Sequence, residues 1–168
     1  LTFEFTIMEK MLAKIEKYIL YVTVFLLPVT VLSISSNSFV VPKLIILVFG
    51  VILALLVRCI RIILSGKLEI KISAFDFPVV LLAAAYLISA ILRTPNKMEA
   101  FLLPGTATAI IGGTLLYFLI NQLSKEEKKN LSVILFGSAV LFAFVTLIAF
   151  TGVLAKINQL PAIYRATG

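Results

Sequence analysis

Histidine is absent from the 168 residues, and cysteine occurs once, as Cys59. The first absence removes the commonest general base and metal ligand. The second excludes an intrachain disulfide and a cysteine metal site, and leaves Cys59 as a small apolar filler near a helix end. The sequence also offers no phosphate-binding glycine loop, no catalytic carboxylate pair and no metal-ligating cluster. Catalysis complete within this chain is therefore not expected, and neither is a cofactor or a metal.

What the chain has is apolar length. Uncharged runs cover Tyr18 to Pro42, Leu44 to Val57, Phe77 to Leu92, Phe101 to Leu123 and Leu131 to Ala155. A bilayer core about 30 Å thick takes roughly 20 apolar helical residues, and the last run meets that length by itself. Hydrophobic residues make up 61% of the chain, against about 45–50% in a soluble domain, and the mean hydropathy is +1.15. The expected fold is all-α: a polytopic transmembrane helical bundle of about five spans, at 18–34, 42–64, 77–93, 104–123 and 131–155. Residues 1–17 are expected to form a tail and interfacial helix, and 156–168 the start of an outer loop.

Local signals refine this layout. Met8, Met11, Leu12, Ile15 and Ile19 recur at helical spacing, with Glu9, Lys10, Lys14, Glu16 and Lys17 on the other face, which predicts an interfacial amphipathic helix. Pro28 is expected to kink the first span, and a polar loop, "SISSNS", follows at 33–38. Pro42 suits the first turn of the second span, and Arg58 and Arg61 can snorkel from its last turns. Asp76 is expected as the N-cap of the third. Gly105, Ala109 and Gly113 repeat every four residues and predict a small-residue stripe for close helix packing. "SKEEKKN" reads as a solvated turn between the last two spans.

The formal net charge of +7 does not point to nucleic acid, because the cations sit in the gaps between apolar runs. Lys10, Lys14, Lys17, Arg58, Arg61, Lys67, Lys71, Lys125, Lys128 and Lys129 fall on one side. Lys43, Arg93, Lys97, Lys156 and Arg165 fall on the other. Lys and Arg favour the cytoplasmic side, so the N-terminus is expected inside and the C-terminal end outside. The chain opens on Leu1, with Met8 a more natural start, and closes on Arg165-Ala-Thr-Gly168. It is expected to be a piece of a longer protein in which Tyr18 to Ile34 acts as a signal anchor.

Three cations on the outer side are candidate substrate contacts. Lys43 follows Pro42 at the mouth of the second helix, where it can meet a phosphate or anchor the helix at the interface. Arg93 stands near Lys97 and Glu99, which reads as a charged cluster or a surface ion pair. Arg165, beside Pro161 and Tyr164, has the fork geometry for bidentate phosphate binding.

The order of landmarks adds a resemblance. "LLPVTVLSISSNSFVVPK", a basic inner loop, "DFPVVLLAAAYLISAILRT", "EAFLLPG" and "GGTLLYFLI" together resemble the N-terminal half of the O-antigen ligase-like family. Arg165-Ala-Thr-Gly168 is similar to the opening of that family's R-x-x-G signature. The resemblance runs from about residue 25 to 168. It implies a metal-independent glycosyltransferase of the bacterial cytoplasmic membrane that takes glycan from an undecaprenyl-pyrophosphate carrier, as in lipopolysaccharide biosynthesis. It implies that Arg165 holds the donor pyrophosphate. The family's later histidine is missing here, so the chain is expected to serve as scaffold and to be inactive alone. A transporter or flippase subunit and a small membrane anchoring or assembly protein are the competing readings. Charge-free interiors of spans three to five count against transport.

Overall fold

The computed structural model describes residues 2–30, 40–66, 68, 70–93, 95–102 and 107–150. They form α1 (Thr2–Val29), α2 (Val41–Ser65), α3 (Asp76–Leu92), α4 (Lys97–Leu102), α5 (Ala107–Asn121) and α6 (Lys125–Phe150), with no strand among them. The all-helical expectation holds. The span count is coarser than expected: α2 and α6 are long and apolar enough to cross a membrane, while α3 and α5 are shorter apolar helices of 17 and 15 residues.

The amphipathic segment and the first apolar run are one continuous helix of 28 residues, not an interfacial helix followed by a span. Nothing between Met8 and Leu27 breaks helical propensity, so one helix continues through both segments. Pro28 lies one residue before the end of α1. The backbone bond that Pro28 cannot donate therefore falls in the last turn of the helix and not in its middle. Pro42 occupies the first turn of α2, as expected, and Gly66 closes that helix at φ 62° with its N–H donating to the Ile62 carbonyl at 2.9 Å. The left-handed position at a helix end favours glycine because it has no Cβ.

Two helix starts differ from expectation. Asp76 is the first residue of α3, not its N-cap. Its Oδ2 accepts the Ser73 N–H at 2.8 Å, reaching back over the preceding turn. All of the expected solvated turn after Ser124, Lys125 to Asn130, is already the start of α6. Glu127 Oε2 accepts the Ser124 N–H at 2.9 Å, and Ser124 Oγ accepts the Glu127 N–H at 3.3 Å. This reciprocal capping box satisfies two otherwise orphaned donors and begins the helix at once, leaving residues 122–124 as the connection.

Packing orders the helices differently from the chain. α1 packs chiefly on α2 and then on α6, whereas α5 packs on α2 and α3. The main core joins Leu20 and Val24 of α1, Val51 and Ala54 of α2, Leu116 and Leu119 of α5, Leu123 and Leu131. A second cluster, Ala90, Ala100 and Ala107, attaches α3 and α4 to α5. Among the described glycines the tightest is Gly50, where a Cβ would meet Thr23 Oγ1 first and stand 2.5 Å from its Cγ2 and 2.9 Å from its Cβ.

The expected small-residue stripe is not the contact surface of α5. Gly113 is exposed, and a Cβ there would meet nothing within 4 Å. Its neighbour Gly112 is buried, and a Cβ there would lie 3.0 Å from Leu47 Cδ2 of α2. The buried face of α5 runs through Ala107, Gly112, Leu116 and Leu119, a period set by 3.6 residues per turn. Gly105 lies outside the described residues, as do the 33–38 loop and the segment from 151 onward.

Candidate functional site

The C-terminal end of α2, the N-terminal end of α3, the C-terminal end of α5 and the N-terminal end of α6 gather with the middle of α1 at one end of the bundle. Alternating chain direction brings them there, and with them most of the cations and polar side chains. Glu16 of α1 is 3% exposed. Its Oε1 accepts Arg58 Nη1 at 3.0 Å, and its Oε2 lies 2.8 Å from Arg61 Nη1. That second contact is off the hydrogen-bond direction, so Oε2 is held by charge. The sequence marked Arg58 and Arg61 as snorkelling cations and placed Glu16 on a solvated face. The structure instead turns Glu16 inward and makes an Arg–Glu–Arg triad of the three. The legible signal was the arginine pair three residues apart on an apolar helix, with a carboxylate on the adjoining one.

α6 is tied to α1 beside the triad. Tyr21 donates its hydroxyl to the Glu127 carbonyl at 3.1 Å, and Lys17 Nζ lies 3.6 Å from Glu127 Oε1. A second network joins α3, α5 and α6. Asp76 Oδ1 accepts the Tyr117 hydroxyl at 2.9 Å and Asn121 Nδ2 at 3.3 Å, while Lys128 Nζ donates to Asn121 Oδ1 at 2.9 Å. Tyr117 and Asn121 are four residues apart and so share one face of α5. Lys71 then clamps the end of α5. Its Nζ donates to the Gln122 and Leu123 carbonyls at 2.6 and 3.2 Å, and its N–H donates to Gln122 Oε1 at 2.9 Å. A cation at the carbonyl end of a helix is favoured by the macrodipole. Sequence reasoning missed this network because each member alone looks like an ordinary loop or helix-end residue.

The predicted contact residues are placed elsewhere. Lys43, in the first turn of α2, is half-buried with its Nζ 5.4 Å from the centre of the Phe142 ring on α6. That distance fits a cation–π contact joining α2 and α6. Arg93 is exposed at the end of α3, where its backbone N–H donates to the Ser89 carbonyl at 2.9 Å. It edges a shallow hollow with Ala85, Ile88, Ser89 and Leu92. Lys43 and Arg93 thus sit on different helices, each with its own surroundings. Arg165 lies outside the described residues, as do the side chains of Lys97 and Glu99.

Among the described residues no three His, Cys, Asp or Glu side chains group to hold a metal ion, and Cys59 is exposed and free. The polar end of the bundle can brace helices and attract anions; the carboxylates of Glu16, Asp76 and Glu127 are engaged in ion pairs, a cap and hydrogen bonds. No family model matches the chain, and no curated protein and no solved structure matches it either.

Proposed function

We propose that the chain is a polytopic membrane scaffold, the N-terminal helical portion of an O-antigen ligase- or polymerase-like glycosyltransferase that uses undecaprenyl-pyrophosphate-linked glycan. One observation supports the membrane part above others. Only 17% and 11% of the apolar windows of α2 and α6 are buried. A core helix of a soluble protein hides its apolar surface, whereas Phe49, Ile63, Phe136, Phe144 and Leu147 point outward here. Lipid is the solvent that makes such surfaces stable. In this reading α1, α2, α3, α5 and α6 are the five spans, and the shorter α3 and α5 cross with little tilt. The gathering of Arg58, Arg61, Lys17, Lys71 and Lys128 at one end supports an N-terminus in the cytoplasm.

Reporter fusions after Gly66, Pro95, Lys125 and Gly168 test the topology. Phosphatase activity is expected after Pro95 and Gly168, and fluorescent-protein signal after Gly66 and Lys125. A fluorescent, phosphatase-inactive fusion at Gly168 would overturn the arrangement.

The transferase part rests on the order of motifs in the sequence, ending in Arg165-Ala-Thr-Gly168. A guanidinium makes two parallel charge-assisted bonds to phosphate, and an ammonium cannot reproduce them. Arg165→Ala and Arg165→Lys in the chromosomal copy are both expected to reduce glycan transfer about tenfold or more, with normal amounts of protein in the membrane. Full transfer by the Lys variant would reduce Arg165 to an interface anchor.

A further inference from the structure

The bundle leaves one row of α1 uncovered. Met8, Met11, Ile15, Tyr18, Val22 and Phe25 follow one another at alternating intervals of three and four residues and are 37–59% exposed. With Ile7 they are all of the exposed large hydrophobic residues among the described side chains of α1. Glu16, Leu20, Thr23 and Val24 are buried on the opposite side of the helix, at about 100° per residue. We propose that the uncovered row is a seam on which a second copy of the chain packs, with the two α1 helices parallel. The parallel arrangement rests on the membrane reading given above.

Spacing, exposure and charge select this occupant. A 3.5-residue repeat keeps one stripe facing a neighbouring helix along its whole length, as side chains of each helix enter holes on the other. Lipid asks for no such repeat, and α3 exposes Val80, Leu81 and Leu82 in succession. The row also outruns the bundle. Met8 and Met11 precede Glu16, the first buried residue among the described side chains of α1, and stand among the exposed Glu9, Lys10 and Lys14. In the membrane reading hydrocarbon does not reach them, whereas another helix can. Beside the row a groove of 390 Å³ runs between α1 and α2, lined by Ile46, Gly50 and Leu53 on the α2 side, which gives entering side chains room. Every copy crosses the membrane in the same sense, so two seams meet about a two-fold axis and each residue of the row faces its counterpart. In that register the flanking positions set Ile7 against the partner's Leu12 and Lys14 against the partner's Ile19, while Glu9, Lys10 and Lys17 lie off the seam. No like charges oppose each other there. Over both copies the six side chains offer on the order of 1,000 Å², the size at which stable interfaces begin.

Single cysteines in a Cys59→Ser background, oxidised in native membranes, test the proposal in the chromosomally encoded protein. Met8→Cys, Met11→Cys and Ile15→Cys should each give a disulfide-linked species of doubled mass, since the seam brings their Cβ atoms within bridging reach. Glu9→Cys, Lys10→Cys and Ala13→Cys should stay at single mass. Met11→Lys sets two like charges face to face and should halve the mass of the detergent-purified protein. Its helical circular dichroism should be unchanged, because Met11 is 58% exposed within one copy. Glu9→Lys, off the seam, should keep the dimer. Crosslinks without this period, or a dimer that survives Met11→Lys, would overturn the seam. Single mass throughout would mean that lipid or another part of the protein covers the row, and would overturn the second copy as occupant. Periodic crosslinks in a chain that alkaline carbonate strips from the membrane would overturn the membrane reading and leave the seam standing.

Discussion

Glu16→Ala is expected to destabilise the bundle by about 3 kcal/mol, the lower end of the range for breaking a buried ion cluster. The substitution removes the carboxylate that meets Arg58 Nη1 at 3.0 Å and Arg61 Nη1 at 2.8 Å. Arg58 and Arg61, both on α2, then lose the buried carboxylate that joins them to α1. The lower end applies because Arg61 is 27% exposed on its side chain and retains some hydration. Replacing all three residues with leucine should restore most of the loss, since the attraction within such a cluster does little more than offset its desolvation. Denaturant unfolding in detergent, followed by helical circular dichroism, measures both effects. A loss below about 0.5 kcal/mol for Glu16→Ala would place the pairs among ordinary surface bridges and sink the claim that they lock α1 to α2.

Gly50→Ala is expected to cost about 2 kcal/mol, within the range for overpacking a tight contact. The added carbon would meet Thr23 at its Cγ2 and at its Cβ, 2.5 and 2.9 Å away. Thr23 cannot swing aside easily, because its hydroxyl donates to the Ile19 carbonyl at 2.7 Å and the side chain is buried. Its Cβ is fixed to the α1 backbone, so the helices themselves must separate. Adding Thr23→Ala should recover part of the loss, not all of it, because that Cβ remains. Gly113→Ala is the comparison, since nothing lies within 4 Å of its new carbon; it should leave stability unchanged or slightly raised. Equal melting temperatures for Gly50→Ala and Gly113→Ala would refute the assignment of the close approach.

The contrast between these two glycines shows where reading along the chain stops. A repeat of small residues every four positions is visible in a sequence, but the face of a helix that meets a neighbour depends on where that neighbour is. On α5 the choice between Gly112 and Gly113 is a rotation of about 100°, and Leu47 of α2 decides it. Glu16 gives the same lesson. Its place among lysines predicts a solvated face; Arg58 and Arg61, more than forty residues later, turn that position inward.

The sequence by itself determined that the chain is helical and apolar, where charge is confined and where α2 begins and ends. Those properties follow from hydrophobic run length, from Pro42 and Gly66, and from local backbone chemistry that needs no distant partner. It also held the Ser124–Glu127 box that starts α6, a signal three residues long. Only the tertiary structure decided that α6 lies against α1, that α5 lies between α2 and α3, and that Asp76 joins Tyr117 and Asn121 across helices. Apolar helices are nearly interchangeable as partners, so helix order is set by a few specific contacts: a glycine facing a threonine, one buried carboxylate between two arginines, and a lysine at a helix end.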